Sequence, residues 1–278
     1  MKSMHFFPDR VWVVAWSTIV SFLIIGFAGG IWGVLYVSNL RISPAIPWSV
    51  PVMAFLLLLM WLYLSGRWWP RSTSQTRRRY LRANWVSLQA FGWAMLAGAL
   101  GILALAGYWI VAFNLVKMSA NVLPDISSYP WLTLVPIAVM GSLVSPLSEE
   151  AAFRGYAQLR LEQVFPGSAA IMISSVLFAL AHFTQGLFLP KLVVYYLAGV
   201  MFGVMAYLTN SILPGIATHI MADLTFFFLV WPYDTQRRLV WETGADIWFW
   251  VHVGQAIIFT VLTILAFRRL SSIIVYCD

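Results

Sequence analysis

Apolar residues run through most of this chain in stretches too long for an ordinary soluble helix, and the polar positions collect in short breaks between them. A helical crossing needs about 20 apolar residues to cover about 30 Å of hydrocarbon. On that rule eight spans are expected, near 11–37, 50–66, 85–116, 131–163, 168–188, 190–208, 211–231 and 246–267. The second follows a turn rich in proline, with Pro44, Pro47 and Pro51, and the fourth continues past Pro146. The first apolar stretch, from Val11, is too long for a signal core and reads as a retained span. The expected fold is all-α, a polytopic transmembrane helical bundle of about eight spans forming a single membrane domain over 1–278. No internal repeat, soluble domain or low-complexity linker is evident.

Composition agrees with this pattern. Of 278 residues, 61% are hydrophobic and only 10% charged, which leaves too little polar surface to cover a water-soluble domain. The 15 Trp and 11 Tyr suit many membrane–water boundaries. The net charge of +7 does not call for a nucleic-acid partner, because most of the arginines flank apolar spans and read as topology signals and anionic-lipid contacts. With the N-terminus inside, 12 of the 17 Lys and Arg fall on inner segments, six of them from Arg67 to Arg82. The positive-inside rule then puts both termini in the cytoplasm, with a bacterial inner membrane as the expected location. The single cysteine, Cys277, cannot form an internal disulfide, lacks the three following residues of a prenylation box, and is expected to be an inert tail thiol.

Charges within spans are costly and need a reason. The fourth expected span contains Ser148-Glu149-Glu150-Ala151-Ala152-Phe153-Arg154, the fifth contains His182, and the seventh contains His219 and Asp223. At 1.5 Å of rise per residue, Glu149 and His182 each lie about 21 Å from the inner end of their spans, and His219 and Asp223 about 14–20 Å. Three antiparallel spans would thus bring polar groups to one level. Glu150 and Arg154 stand at i and i+4 with the acid first, the better order for a helical ion pair. In an α-helix Glu149 is turned about 100° from Glu150, so it can face elsewhere. His219 and Asp223 also stand one turn apart, where a carboxylate can fix the tautomer of an imidazole. Phe178 lies one turn before His182 and can wall a pocket. Taken singly, each feature has a structural explanation: a neutralised buried pair, a satisfied core histidine, a helix-packing contact. Taken together, they point to a functional site.

These residues resemble the three motifs of the CAAX-protease and bacteriocin-processing family: Glu149-Glu150 with Arg154, Phe178 with His182, and His219 with Asp223. The resemblance covers roughly 130–230, so 130–231 is read as a family-like core, 1–129 as spans without diagnostic motifs, and 232–278 as the last span and tail. It implies a helical membrane core with an intramembrane polar cavity open to one face, and a glutamate-dependent endopeptidase without a cofactor. It implies that Glu149 with His182 deprotonates a water, that His219 with Asp223 beside it stabilises the oxyanion, and that Glu150 and Arg154 hold the motif together. The implied partners are the bilayer and a membrane-anchored protein or peptide substrate. Where eukaryotic prenyl-protein endopeptidases of the family have Asn, this chain has Asp223, so it resembles the bacterial branch. An ionised Asp cannot donate to an oxyanion, so Asp223 must be protonated or must orient His219.

Three other readings use the same residues. Glu149, His182, His219 and Asp223 could supply zinc ligands, although no HExxH motif is present. Buried Glu, His and Asp also serve proton relays and transporters, although the paired interrupted spans of such proteins are not evident. A non-catalytic binding or immunity protein could keep the fold, although loss of Glu149 or His182 would be its expected mark.

Overall fold

A computed structural model describes residues 6–118, 129–183 and 188–275. Its regular elements are helices, and no strand occurs among the described residues. That is the expected answer for a chain in hydrocarbon, where each backbone N–H and C=O needs a partner within its own segment.

The elements are α1 (Phe6–Ile42), α2 (Ser49–Leu64), α3 (Ser74–Leu81), α4 (Leu88–Leu115), α5 (Trp131–Glu149), α6 (Leu159–Leu161), α7 (Gly167–Ala181), α8 (Leu189–Thr209), α9 (Leu213–Thr225), α10 (Val240–Thr243) and α11 (Ile247–Val275). A π-helix, Glu150–Gln158, joins α5 to α6, and a second, Phe226–Val230, continues α9. Among the described residues six helical stretches are long and apolar enough to cross a membrane, and α2 and α7 are shorter apolar helices. All eight expected spans therefore have a helix. The fifth is shorter than expected: α7 ends at Ala181, where the apolar run meets Thr184-Gln185-Gly186. Residues 184–187 of that expected span and Cys277 lie outside the described residues.

The chain divides into two compact units. The first comprises Met1–Asn84 and Ile126–Leu177. Its core gathers Ala28, Trp32, Met53, Met140 and Val144 from α1, α2 and α5. The α1–α2 turn is organised by buried Asn39. Its amide donates to the carbonyls of Ser43 and Ile46 and its oxygen accepts from the N–H of Ser49, all within 2.9 Å. One side chain thereby satisfies a turn whose prolines cannot pair with each other. The π-helix packs against α1, with Phe153 edge-on to Phe22 at 6.4 Å, and against the end of α3. At that second contact a Cβ on Gly155 would lie 2.8 Å from the Tyr80 carbonyl oxygen and 2.9 Å from that of Leu81, so only glycine fits.

The second unit comprises Trp85–Asp125 and Phe178–Asp278. Its axis is α4, whose buried face is rich in Ala and Gly: Ala90, Ala94, Ala97, Gly98, Gly101 and Ala104. Small residues let helix backbones approach where no hydrophobic effect draws them together. At Gly107 the backbone of α11 comes so near that a Cβ would stand 2.9 Å from the Ala256 nitrogen. At Gly98 a Cβ would stand 2.3 Å from the Thr218 methyl, so this glycine seats α9. Farther along, Trp109, Phe113, Phe202 and Phe226 form the aromatic core.

Candidate active site

The first unit holds Glu149, Glu150 and Arg154. Glu150 and Arg154 are wholly buried, with Arg154 Nη1 3.3 Å from Glu150 Oε1. Glu149, the last residue of α5, is half-buried. It accepts a hydrogen bond of 2.5 Å from the Ser145 hydroxyl one turn earlier. The two adjacent glutamates therefore differ in surroundings, as the expected rotation between them required. The local backbone differs from expectation, because Glu150–Gln158 is a π-helix and not a continuation of α5. Such segments are rare and concentrate at functional sites. The Ser174 hydroxyl of α7 donates to the Phe153 carbonyl at 2.9 Å and takes up one acceptor within this segment. A short apolar stretch read for periodicity cannot distinguish these two windings, and nothing in the sequence announced this one.

The second unit holds Phe178, His182, His219 and Asp223. His182 stands immediately after α7, with its backbone N–H bonded to the Ala179 carbonyl at 3.1 Å. It had been expected inside a longer span. Its Nδ1 lies 2.9 Å from the Phe178 carbonyl oxygen. A carbonyl only accepts, so neutral His182 carries its proton on Nδ1 and its lone pair on Nε2. Tyr195 of α8 stacks on the His182 ring at 4.2 Å. On α9, His219 is buried, and its Nε2 lies 3.6 Å from Asp223 Oδ1. Phe202 stacks on the His219 ring at 4.4 Å. Phe178 touches both histidines, with ring centroids 4.8 Å from His182 and 5.8 Å from His219. The two histidines are thus held about one aromatic wall, each backed by a second ring. Within this unit His182, His219 and Asp223 do not form a group that could hold a metal ion.

Tyr195 and Phe202 were not singled out from the sequence. Aromatic residues on apolar helices carry no signal there, and only the packing of α8 reveals which of them meet histidine. A second polar cluster was missed as well. Lys191, at the start of the sixth expected span, is wholly buried in the first turn of α8. Its Nζ lies 5.7 Å from the centre of the Trp109 ring and 5.5 Å from that of Phe113. Buried Asp234 accepts from Trp109 Nε1 at 3.1 and 3.0 Å and from Arg237 Nε at 3.1 Å.

Comparison with known proteins gives a family for part of the chain. The family described as Rce1-like, type II CAAX prenyl endopeptidase, matches residues 130–225, which include all three motifs. No curated protein and no solved structure matches the chain. With six membrane-length helices and this match, the protein is an integral, multi-pass membrane protein. Over residues 130–225 the chain is similar to the Rce1-like family, which supports an intramembrane protease of the CAAX type.

Proposed function

We propose that the protein hydrolyses a peptide bond of a membrane-anchored protein or peptide, with Glu149 and His182 activating water and His219 stabilising the oxyanion. The observation that carries this reading is the occurrence of the three motifs, in order, within the matched residues 130–225. Peptide hydrolysis needs a base for water and donors for the tetrahedral oxyanion. A carboxylate can take a proton from water and the Nε2 lone pair of a neutral imidazole can orient it, which are the roles the family motifs assign to Glu149 and His182. The water proton passes to Glu149, which returns it to the leaving amine. His219 donates to the oxyanion, and Asp223 holds its ring from one turn away. Ser145 fixes the Glu149 carboxylate from the preceding turn. The buried Glu150–Arg154 pair neutralises two charges inside the helix and so maintains the π-helical segment. The proposed setting is a bacterial inner membrane with both termini in the cytoplasm, from the distribution of Lys and Arg.

The test is proteomics of membrane fractions from cells with the wild type or Glu149→Gln, read for uncut termini that accumulate in the variant. General-base removal is worth about 10²–10⁴ in rate. Wild-type cleavage by a folded, inserted Glu149→Gln protein would remove the glutamate mechanism.

A further inference from the structure

In the first unit, α1 and α2 border an apolar groove of about 590 Å³ lined by Phe27, Trp32, Leu59, Met60, Tyr63 and Trp68, with almost no polar surface. That volume falls in the range of ordinary small-molecule sites. The lining reaches Trp68, which belongs to the segment between α2 and α3. This segment, α3 and the residue that follows it carry six arginines, and their surroundings sort them into two kinds. Arg77 is buried: Nη2 donates to the carbonyls of Trp68 and Pro70 at 2.7 Å each, Nη1 to that of Tyr63, and Nε to the Thr73 hydroxyl at 3.1 Å. Arg82 is buried and paired with Glu162 at 2.9 Å. Arg77 folds the segment back on the end of α2, with Gly66 at φ +70° making the turn. Arg67, Arg71, Arg78 and Arg79 are exposed. Trp68 and Trp69 beside them are exposed as well, in the manner of residues at headgroup level.

We propose that this is a binding site for an anionic phospholipid, its acyl chain in the α1–α2 groove and its phosphate on Arg67, Arg71, Arg78 and Arg79. The two halves suit the two halves of one molecule. The groove offers an acyl chain nothing to hydrogen-bond, and the exposed arginines supply the charge that the groove lacks. Arg77 holds Tyr63 and Trp68, which line the groove, to the segment that carries the other arginines, so both halves belong to one clamped structure. The inference stands independently of the peptidase reading.

The experiment uses the purified full chain, equilibrated with vesicles of phosphatidylglycerol and phosphatidylethanolamine, with retained lipid counted by native mass spectrometry. Phosphatidylglycerol is expected to be retained over phosphatidylethanolamine. Each arginine at an anionic surface strengthens binding about fivefold, so Arg78→Ala with Arg79→Ala should weaken phosphatidylglycerol binding ~30-fold. Leu59→Trp, which fills the groove and keeps every arginine, should also displace the lipid. Equal retention of the two lipids, or undiminished phosphatidylglycerol on either variant, overturns the proposal. A phosphatidylglycerol with a photoactivatable acyl chain tests the same seat on the wild type. Crosslinks confined to α1 and α2 support it, and crosslinks spread evenly over the helices overturn it.

Discussion

The Glu150–Arg154 pair allows a quantitative prediction. Both side chains have no solvent exposure and approach to 3.3 Å. Arg154→Met removes one partner and keeps much of the aliphatic volume. What remains is a carboxyl group enclosed by protein, and breaking a buried pair in this way costs about 3–5 kcal/mol. Glu150→Leu removes the carboxylate 3.3 Å from the guanidinium and should also destabilise, though less, because the charge of Glu149 still acts on Arg154. The double variant, Glu150→Leu with Arg154→Met, leaves no buried charge, and apolar replacement of a buried pair is close to neutral or better. The coupling energy should therefore be several kcal/mol, with each single variant less stable than the double. In thermal unfolding of detergent-solubilised protein, a loss of this size lowers Tm by ~10 °C. The assay needs all four members of the cycle, because contacts within one network are not additive. Single variants melting within about 1 °C of the wild type, or a double variant melting below both, would refute the view that these two charges neutralise each other.

Other outcomes follow from particular contacts. Gly98→Ala should destabilise the protein by ~1–3 kcal/mol and lower cleavage, because its Cβ meets the Thr218 methyl at 2.3 Å beside His219; wild-type thermal stability would show that α9 can shift freely. Trp109→Phe removes the indole N–H shared by both oxygens of Asp234 and should cost ~1.5–3 kcal/mol, measured as a lower midpoint of detergent-induced unfolding. Asp223→Asn preserves an oxygen toward His219 and should retain cleavage within about tenfold, whereas Asp223→Ala should lose ~100-fold or more. Equal activity of those two variants, measured on the same substrate, would show that Asp223 does not position His219.

The sequence by itself determined that this is a helical membrane protein, because its long apolar runs leave no other way to satisfy the backbone in lipid. It also determined the pairings that lie within one helical turn, Glu150 with Arg154 and His219 with Asp223, since spacing of i and i+4 fixes them before any packing occurs. The family was legible for the same reason: its motifs are local. Tertiary structure decided the rest. The α-helix gives way to a π-helix at Glu150, and apolar periodicity over so short a stretch does not separate the two windings. Tyr195 and Phe202 became the partners of His182 and His219 through contacts between different helices. Lys191, at the start of the sixth expected span, proved to be buried beside Trp109, across a distance in sequence that no local pattern spans. Residues joined by the chain's own winding can be read from their spacing, and residues joined only by the packing of one helix on another cannot.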